Sequence, residues 1–198
     1  MRSIVLCLVA LALAGCQTMA NRLSPAEVAG FRLAQLDVVP PPAAAIRWYD
    51  GEVVYAASKG VGMLEASSAA ATPEGQAYLQ HAVAGKVRAA FQRELGGSLT
   101  GTRPVRVQVR MQSVTMIPAL QRALIGGGEH AIVADITVLD AKTGAVLSTY
   151  PSFKAGSTAG GGVVGLAVDA TITGAPIDRV VSNLASGYRA WLMNPGAS

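Results

Sequence analysis

Residues 105–112 constrain the fold more than any other stretch. Val105, Val107, Val109 and Met111 alternate with Arg106, Gln108, Arg110 and Gln112. Successive side chains on a strand point to opposite faces, so one face here is apolar and the other charged. A strand of this kind belongs to a sheet whose second face is wet or meets a partner. The alternation slips at Gln112-Ser113-Val114, which predicts a bulge. A second alternation follows: Ile132, Ala134, Ile136 and Val138 form an inner face, and Val133, Asp135 and Thr137 an outer one. Asp140-Ala141-Lys142-Thr143-Gly144 then reads as a hairpin turn, with Gly144 where positive φ is needed. Ala145 to Phe153 returns as the partner strand.

Two helical patterns supply the cover for the apolar face. Leu79, Val83, Val87, Phe91 and Leu95 recur every four residues, with Ala82 and Ala90 in the same stripe. Thr72-Pro73-Glu74 supplies a cap, a first-turn proline and an acid at the positive end of the dipole, and Gly96-Gly97 ends the helix. Pro176 opens the closing helix, where Ile177, Val180, Val181, Leu184, Tyr188, Trp191 and Leu192 lie along one side. Phe31 to Val38 reads as a further strand, ended by Pro40-Pro41-Pro42. Trp48 to Ala56 reads as a second short strand around Val53, Val54 and Tyr55, and Lys59 to Pro73 as a Gly, Ala and Ser-rich mobile loop. Pro118 to Gly128 forms a loop or short helix, and Ala155 to Ala175 is Gly-rich and nearly uncharged. The expected fold class is α+β: a mostly antiparallel sheet of about four strands with two helices packed on one face.

The N-terminus carries a separate signal. Met1-Arg2 is a short positive end, Ile4 to Ala14 is almost purely apolar, and Ala14-Gly15 are small residues. An apolar run of this length covers about half of a ~30 Å hydrocarbon core, too little for a transmembrane helix. Leu13-Ala14-Gly15-Cys16 closes the run. This order resembles the lipobox signal peptide of a bacterial lipoprotein precursor. The resemblance implies cleavage after Gly15 and lipid on the sulfur and amine of Cys16, a firm anchor once two or three acyl chains are present. The alternative is a plain export signal cut near Ala14. In lipoproteins of this type an aspartate after the cysteine retains the protein at the inner membrane. Gln17 stands there instead, which implies lipid anchoring at the outer membrane, on its periplasmic face, rather than at the inner membrane. The expected organisation is a signal peptide over 1–15, a lipidated tether over 16–29 in which Ser24-Pro25-Ala26-Glu27 starts a helical turn, and one α+β envelope domain over 30–198. In outline that domain resembles small envelope lipoproteins, including auxiliary lipoproteins of transport systems and curli-secretion-type lipoproteins, in which the Asp-x-x-Thr-Gly hairpin recurs. This likeness supplies no catalytic residue.

Composition narrows the chemistry. Cys7 and Cys16 are the two cysteines. With one in the signal and the other lipidated, the mature domain has no disulfide, thiol nucleophile or cysteine metal site. Removal of Arg2 with the signal leaves fifteen basic residues against twelve acidic, too few and too dispersed for a nucleic-acid footprint. His81 and His130 are the two histidines, each read as solvated, and a zinc site wants three or four ligands. Asp135 is expected to pair across strands with Arg106 or Arg110, and Asp140 to serve the turn. No Gly-x-Ser-x-Gly is present, and the Gly156 to Gly165 segment lacks the Lys-Ser/Thr ending of a phosphate loop. Gly156, Gly160, Gly161 and Gly165 have a small-residue spacing that permits close backbone approach, so they form the candidate contact surface, together with the loop from Ala119 to Gly128. The expected function is a non-enzymatic, lipid-anchored envelope component without cofactor or metal. It is held to the membrane through Cys16 and assembles with other envelope proteins or with copies of itself. The alternative is a periplasmic binding protein for a lipid or other apolar ligand, held between helix and sheet.

Overall fold

The computed structural model describes residues 19–125, 128–159 and 175–196. In chain order the elements are α1 (Pro25–Ala29), β1 (Phe31–Val39), β2 (Ile46–Arg47), α2 (Tyr49–Ser58), α3 (Ala66–Ala70), α4 (Pro73–Gly96), β3 (Arg103–Thr115), α5 (Ala119–Ile125), β4 (Gly128–Asp140), β5 (Val146–Ala159) and α6 (Pro176–Met193). Short 3-10 turns at Ala43–Ala45 and Met63–Glu65 complete the path.

The sheet runs β1-β3-β4-β5, with the short β2 also on β3. The two hairpin-type pairings, β3 with β4 and β4 with β5, are antiparallel. β1 and β2 run parallel to β3, so the five-stranded sheet is mixed and not mostly antiparallel. The reason is connectivity. The chain passes from β1 to β3 through the helices α2, α3 and α4, and a long helical crossover returns the next strand in the same direction. The expected bulge in β3 is present, as a register shift between Met111 and Ser113. The hairpin is also as expected, with Gly144 at φ 74° and the Asp140 carboxylate accepting from the backbone N–H of Lys142 and Thr143 at 3.0 and 3.1 Å.

α4 and α6 cover the apolar face of the sheet. Thr72 caps α4 by accepting from Gly75 N at 3.2 Å, and its stripe Leu79, Val83, Val87, Phe91 and Leu95 is buried. α6 buries Ile177, Val180, Val181, Leu184, Ala185, Tyr188 and Leu192. These side chains meet Val105, Val107, Val109, Met111, Ile132, Ala134, Ile136 and Val138 in one core. The opposite face, with Arg106, Gln108, Arg110, Gln112, Asp135 and Thr137, stays half-buried or exposed.

Two segments differ from the sequence reading. Residues 49–58 are helical, not a strand. Gly51, Tyr55 and Ala56 are the buried positions, which is helical spacing, and Val54 at the centre of the expected strand is exposed. Tertiary packing of Tyr55 against Tyr78 of α4, with ring centroids 5.2 Å apart, outweighs the local β-preference of Val53-Val54-Tyr55. The segment read as a mobile loop, 59–73, contains the 3-10 turn and α3, with Ala66 and Ala70 buried. The helices therefore number more than the two expected, although among the described helices α4 and α6 are the ones that lie along the sheet.

Candidate functional site

Cys16 lies outside the described residues, as do Gly160, Gly161 and Gly165. From Met19 onward the N-terminal segment is tightly placed. Ser24 and Glu27 form a reciprocal capping box that starts α1. Upstream of it, Asn21 is 5 % exposed. Its amide donates to the carbonyls of Trp191 and Leu192 at 3.0 and 3.1 Å, and its side-chain oxygen accepts from Leu23 N at 3.1 Å. The Trp191 indole N–H in turn donates to Met19 O at 2.6 Å. A helix leaves its last four carbonyls without intrahelical partners. At the end of α6 the amide of Asn194 takes the Ala190 carbonyl at 2.7 Å, and Asn21 takes the next two. The N-terminal segment thus caps the C-terminal helix from about 170 residues away. No sequence signal could have shown this, because the partners share neither periodicity nor proximity.

At the opposite end of the sheet a groove of about 410 Å³ is lined by Ile46, Arg47, Trp48, Tyr49, Glu52, Ser67, Thr115, Met116, Ile117, Pro118 and Gln121. A Cβ on Gly51 would meet the Trp48 ring at 2.5 Å, so the glycine lets the indole lie against α2. Glu52 accepts from the Ser67 hydroxyl at 2.6 Å, and Tyr49 donates to Met63 O at 3.2 Å. Behind the groove, Ile117 N donates to Nδ1 of His130 at 3.0 Å. His130 is fully buried, not solvated as the sequence suggested. The strand period held the clue: residue 130 shares a face with Ile132, Ala134 and Ile136. His81 is exposed on α4. Among the described residues no group of three or more His, Cys, Asp and Glu side chains is placed to hold a metal ion.

The open sheet face carries a polar cluster at the β4–β5 irregularity. Ala134 faces Phe153 and Ile136 faces Tyr150, so Asp135 stands opposite the pair Pro151-Ser152. Ser152 sits at φ 48°, a region that L side chains rarely adopt. The Asp135 carboxylate accepts from Ser152 N at 2.8 Å and from the Gln112 amide at 2.7 Å. These bonds, more than the charge of Arg110, hold its pKa below the usual carboxylate value. Asp135 therefore clamps the bulge, and Arg110 stands opposite it on β3, as expected, with its charge the smaller contribution. Around it, Arg106 approaches Asp37 at 3.8 Å, Arg103 pairs with Asp140 at 3.0 Å and Lys154 with Glu129 at 2.6 Å. Gly156 is a β5 residue opposite Ala131. A Cβ there would collide with the Glu129 carboxylate and approach His130 O at 3.0 Å, which gives this glycine a packing reason.

The chain belongs to DUF6778, a family of unknown function, which matches residues 72–198. No curated protein matches. Three crystal structures are loosely similar. One is a protein of Caulobacter crescentus provisionally described as a lipoprotein (TM-score 0.36, 17 % identity, 56 % of this chain and 80 % of that one). Another is a DUF330 protein of Xanthomonas campestris (0.42, 11 %, 89 % and 92 %). The third is a PelC variant of Paraburkholderia phytofirmans crystallised as a dodecamer (0.36, 13 %, 83 % and 92 %). Scores this low indicate likeness in outline, and nothing about function follows from them.

Proposed function

We propose that this protein is a lipid-anchored component of the cell envelope, tethered through Cys16 to the periplasmic face of the outer membrane, that assembles non-catalytically with other envelope proteins or with copies of itself. The observation that carries the reading is the order positive end, apolar run, Leu13-Ala14-Gly15-Cys16. Among the described residues no helix is long and apolar enough to cross a membrane. Assembly is supported by the open sheet face, by the groove beside Trp48, and by exposed apolar side chains such as Met63 and the nearly fully exposed Leu64. The alternative of an apolar ligand held between helix and sheet finds no support. That space is occupied by Val87, Phe91, Leu184 and Tyr188 packed on the strand valines.

Chemical cross-linking in intact cells, followed by size analysis, tests the assembly. Discrete higher-mass species containing this chain are expected. A strictly monomeric, partnerless protein contradicts the reading. Cys16→Ser is expected to abolish lipid labelling and release the protein from the membrane fraction.

A further inference from the structure

We propose that the end of the molecule formed by Met19, Arg22 and the last turn of α6 is a bilayer-facing surface, with Trp191 seated at the lipid headgroup level. The proposal rests on lipidation of Cys16 and adds the orientation of the body. Three residue steps separate Cys16 from Met19, a reach of about 10 Å even when fully extended. Met19 is itself fastened, since its carbonyl accepts from the Trp191 indole at 2.6 Å and Asn21 is bonded to the Trp191 and Leu192 carbonyls. The body therefore cannot stand away from the membrane on a long leash. With the link through the Met19 carbonyl added, the end of α6 must lie within about 15 Å of the lipidated residue.

That end has the chemistry of an interfacial contact. Met19 and Met193 are 42 % and 36 % exposed, Trp191 is half-buried, and Arg22 is exposed. A half-buried indole near exposed methionines suits the membrane–water boundary, with its N–H already satisfied by Met19 O, and the neighbouring Arg22 suits anionic headgroups.

The same geometry fixes what points away. α6 runs antiparallel to β5. Asn183 donates to Gly156 O at 2.9 Å, a Cβ on Gly187 would meet Phe153 at 3.3 Å, and the Trp191 ring lies 4.9 Å from Tyr150. Tyr150 pairs through Ile136 to the Val109 level of β3, whereas Trp48 follows Arg47, which pairs with Thr115. The two indoles are thus about 20 Å apart along the strand direction. The Trp48 groove lies at the distal end, open to a partner in the aqueous space.

Trp48 and Trp191 are the only two tryptophans, so each can be read alone. The lipidated full chain is reconstituted into phosphatidylcholine–phosphatidylglycerol vesicles that carry brominated acyl chains, and vesicle flotation is measured alongside fluorescence. In the Trp48→Phe variant, loss of Trp191 emission is expected. In the Trp191→Phe variant, Trp48 emission is expected to be unchanged. Met193→Cys carrying a nitroxide keeps both indoles and gives a second readout, with preferential collision with oxygen over a water-soluble nickel complex expected. Protein that floats with the vesicles but shows equal quenching of both indoles, or a water-exposed nitroxide, overturns the orientation while leaving the anchor intact. A blue shift of Trp191 that grows with protein density without bromine quenching assigns the surface to a second copy and also overturns it. Protein that does not float overturns the anchor and the orientation together.

Discussion

Asn21 provides the sharpest test of how the N-terminal segment is held. Its side chain makes three hydrogen bonds, to Trp191 O, Leu192 O and Leu23 N, at 3.0 to 3.1 Å, in a site that is 5 % exposed. A hydrogen bond of this type contributes about 1 kcal/mol net, and water at the helix end recovers part of the loss, so Asn21→Ala is expected to cost about 2 to 3 kcal/mol. For a domain of this size that corresponds to a fall in Tm of about 4 to 12 °C. Circular dichroism melting of the detergent-solubilised protein, with urea titration as a second measure, reads the effect. Asn21→Asp keeps the shape and the acceptor for Leu23 but turns a carboxylate towards two carbonyls at the negative end of α6. It is expected to be at least as damaging as alanine at pH 7. Its folded pKa would lie above the unfolded value, so the deficit is full above the folded pKa and shrinks as the pH falls and the carboxyl becomes a donor. An Asn21→Ala protein within about 0.5 kcal/mol of the parent, the range of an indifferent surface change, refutes the clasp.

Other consequences follow from single residues. Within α4, Gly75→Ala and Gly85→Ala should act with opposite sign. A Cβ at Gly75 meets Ala70 Cα and O at 2.6 and 2.7 Å and should cost about 1 to 3 kcal/mol, whereas Gly85 has open space around it and should gain about 0.5 to 1 kcal/mol, both read by urea unfolding. The hydroxyl of Tyr188 is buried without a hydrogen-bond partner among the described residues, and burial pushes its pKa up. Tyr188→Phe should therefore stabilise the protein by about 1 kcal/mol or more, and a loss of stability would reveal a partner for the hydroxyl. Backbone bonds from Thr143, with the Arg103 guanidinium next, draw the Asp140 pKa from 3.8 to about 2. The resulting stabilisation is complete above pH 4 and lost as the pH falls towards 2, so Asp140→Asn should flatten the pH dependence of unfolding in that window.

Local patterns carried most of the core. The valines of β3, the β4 face and the α4 and α6 stripes are buried as their periodicities indicate, apart from the half-buried Ala82 and Trp191, and the hairpin at Gly144 follows from its turn chemistry. The parallel pairing of β1 with β3 was not legible, because strand direction depends on where a crossover of more than sixty residues returns. Val53-Val54-Tyr55 misleads for a related reason: its local preference yields to Tyr78 and to the indole laid over Gly51. The buried place of His130 was readable from the strand period, but its neighbour Glu129 made the position look solvated. The clasp between Asn21 and α6 exists only through tertiary proximity.

Attachment to the envelope depends on the chemical state of residue 16 in the native host. Intact mass spectrometry of protein extracted from host membranes, with sequencing of its N-terminal peptide, reads that state directly. A chain beginning at Cys16 and carrying a diacylglyceryl thioether together with an acylated amine is expected. A chain that begins elsewhere, or one that begins at Cys16 with a free thiol and amine, contradicts the lipid anchor.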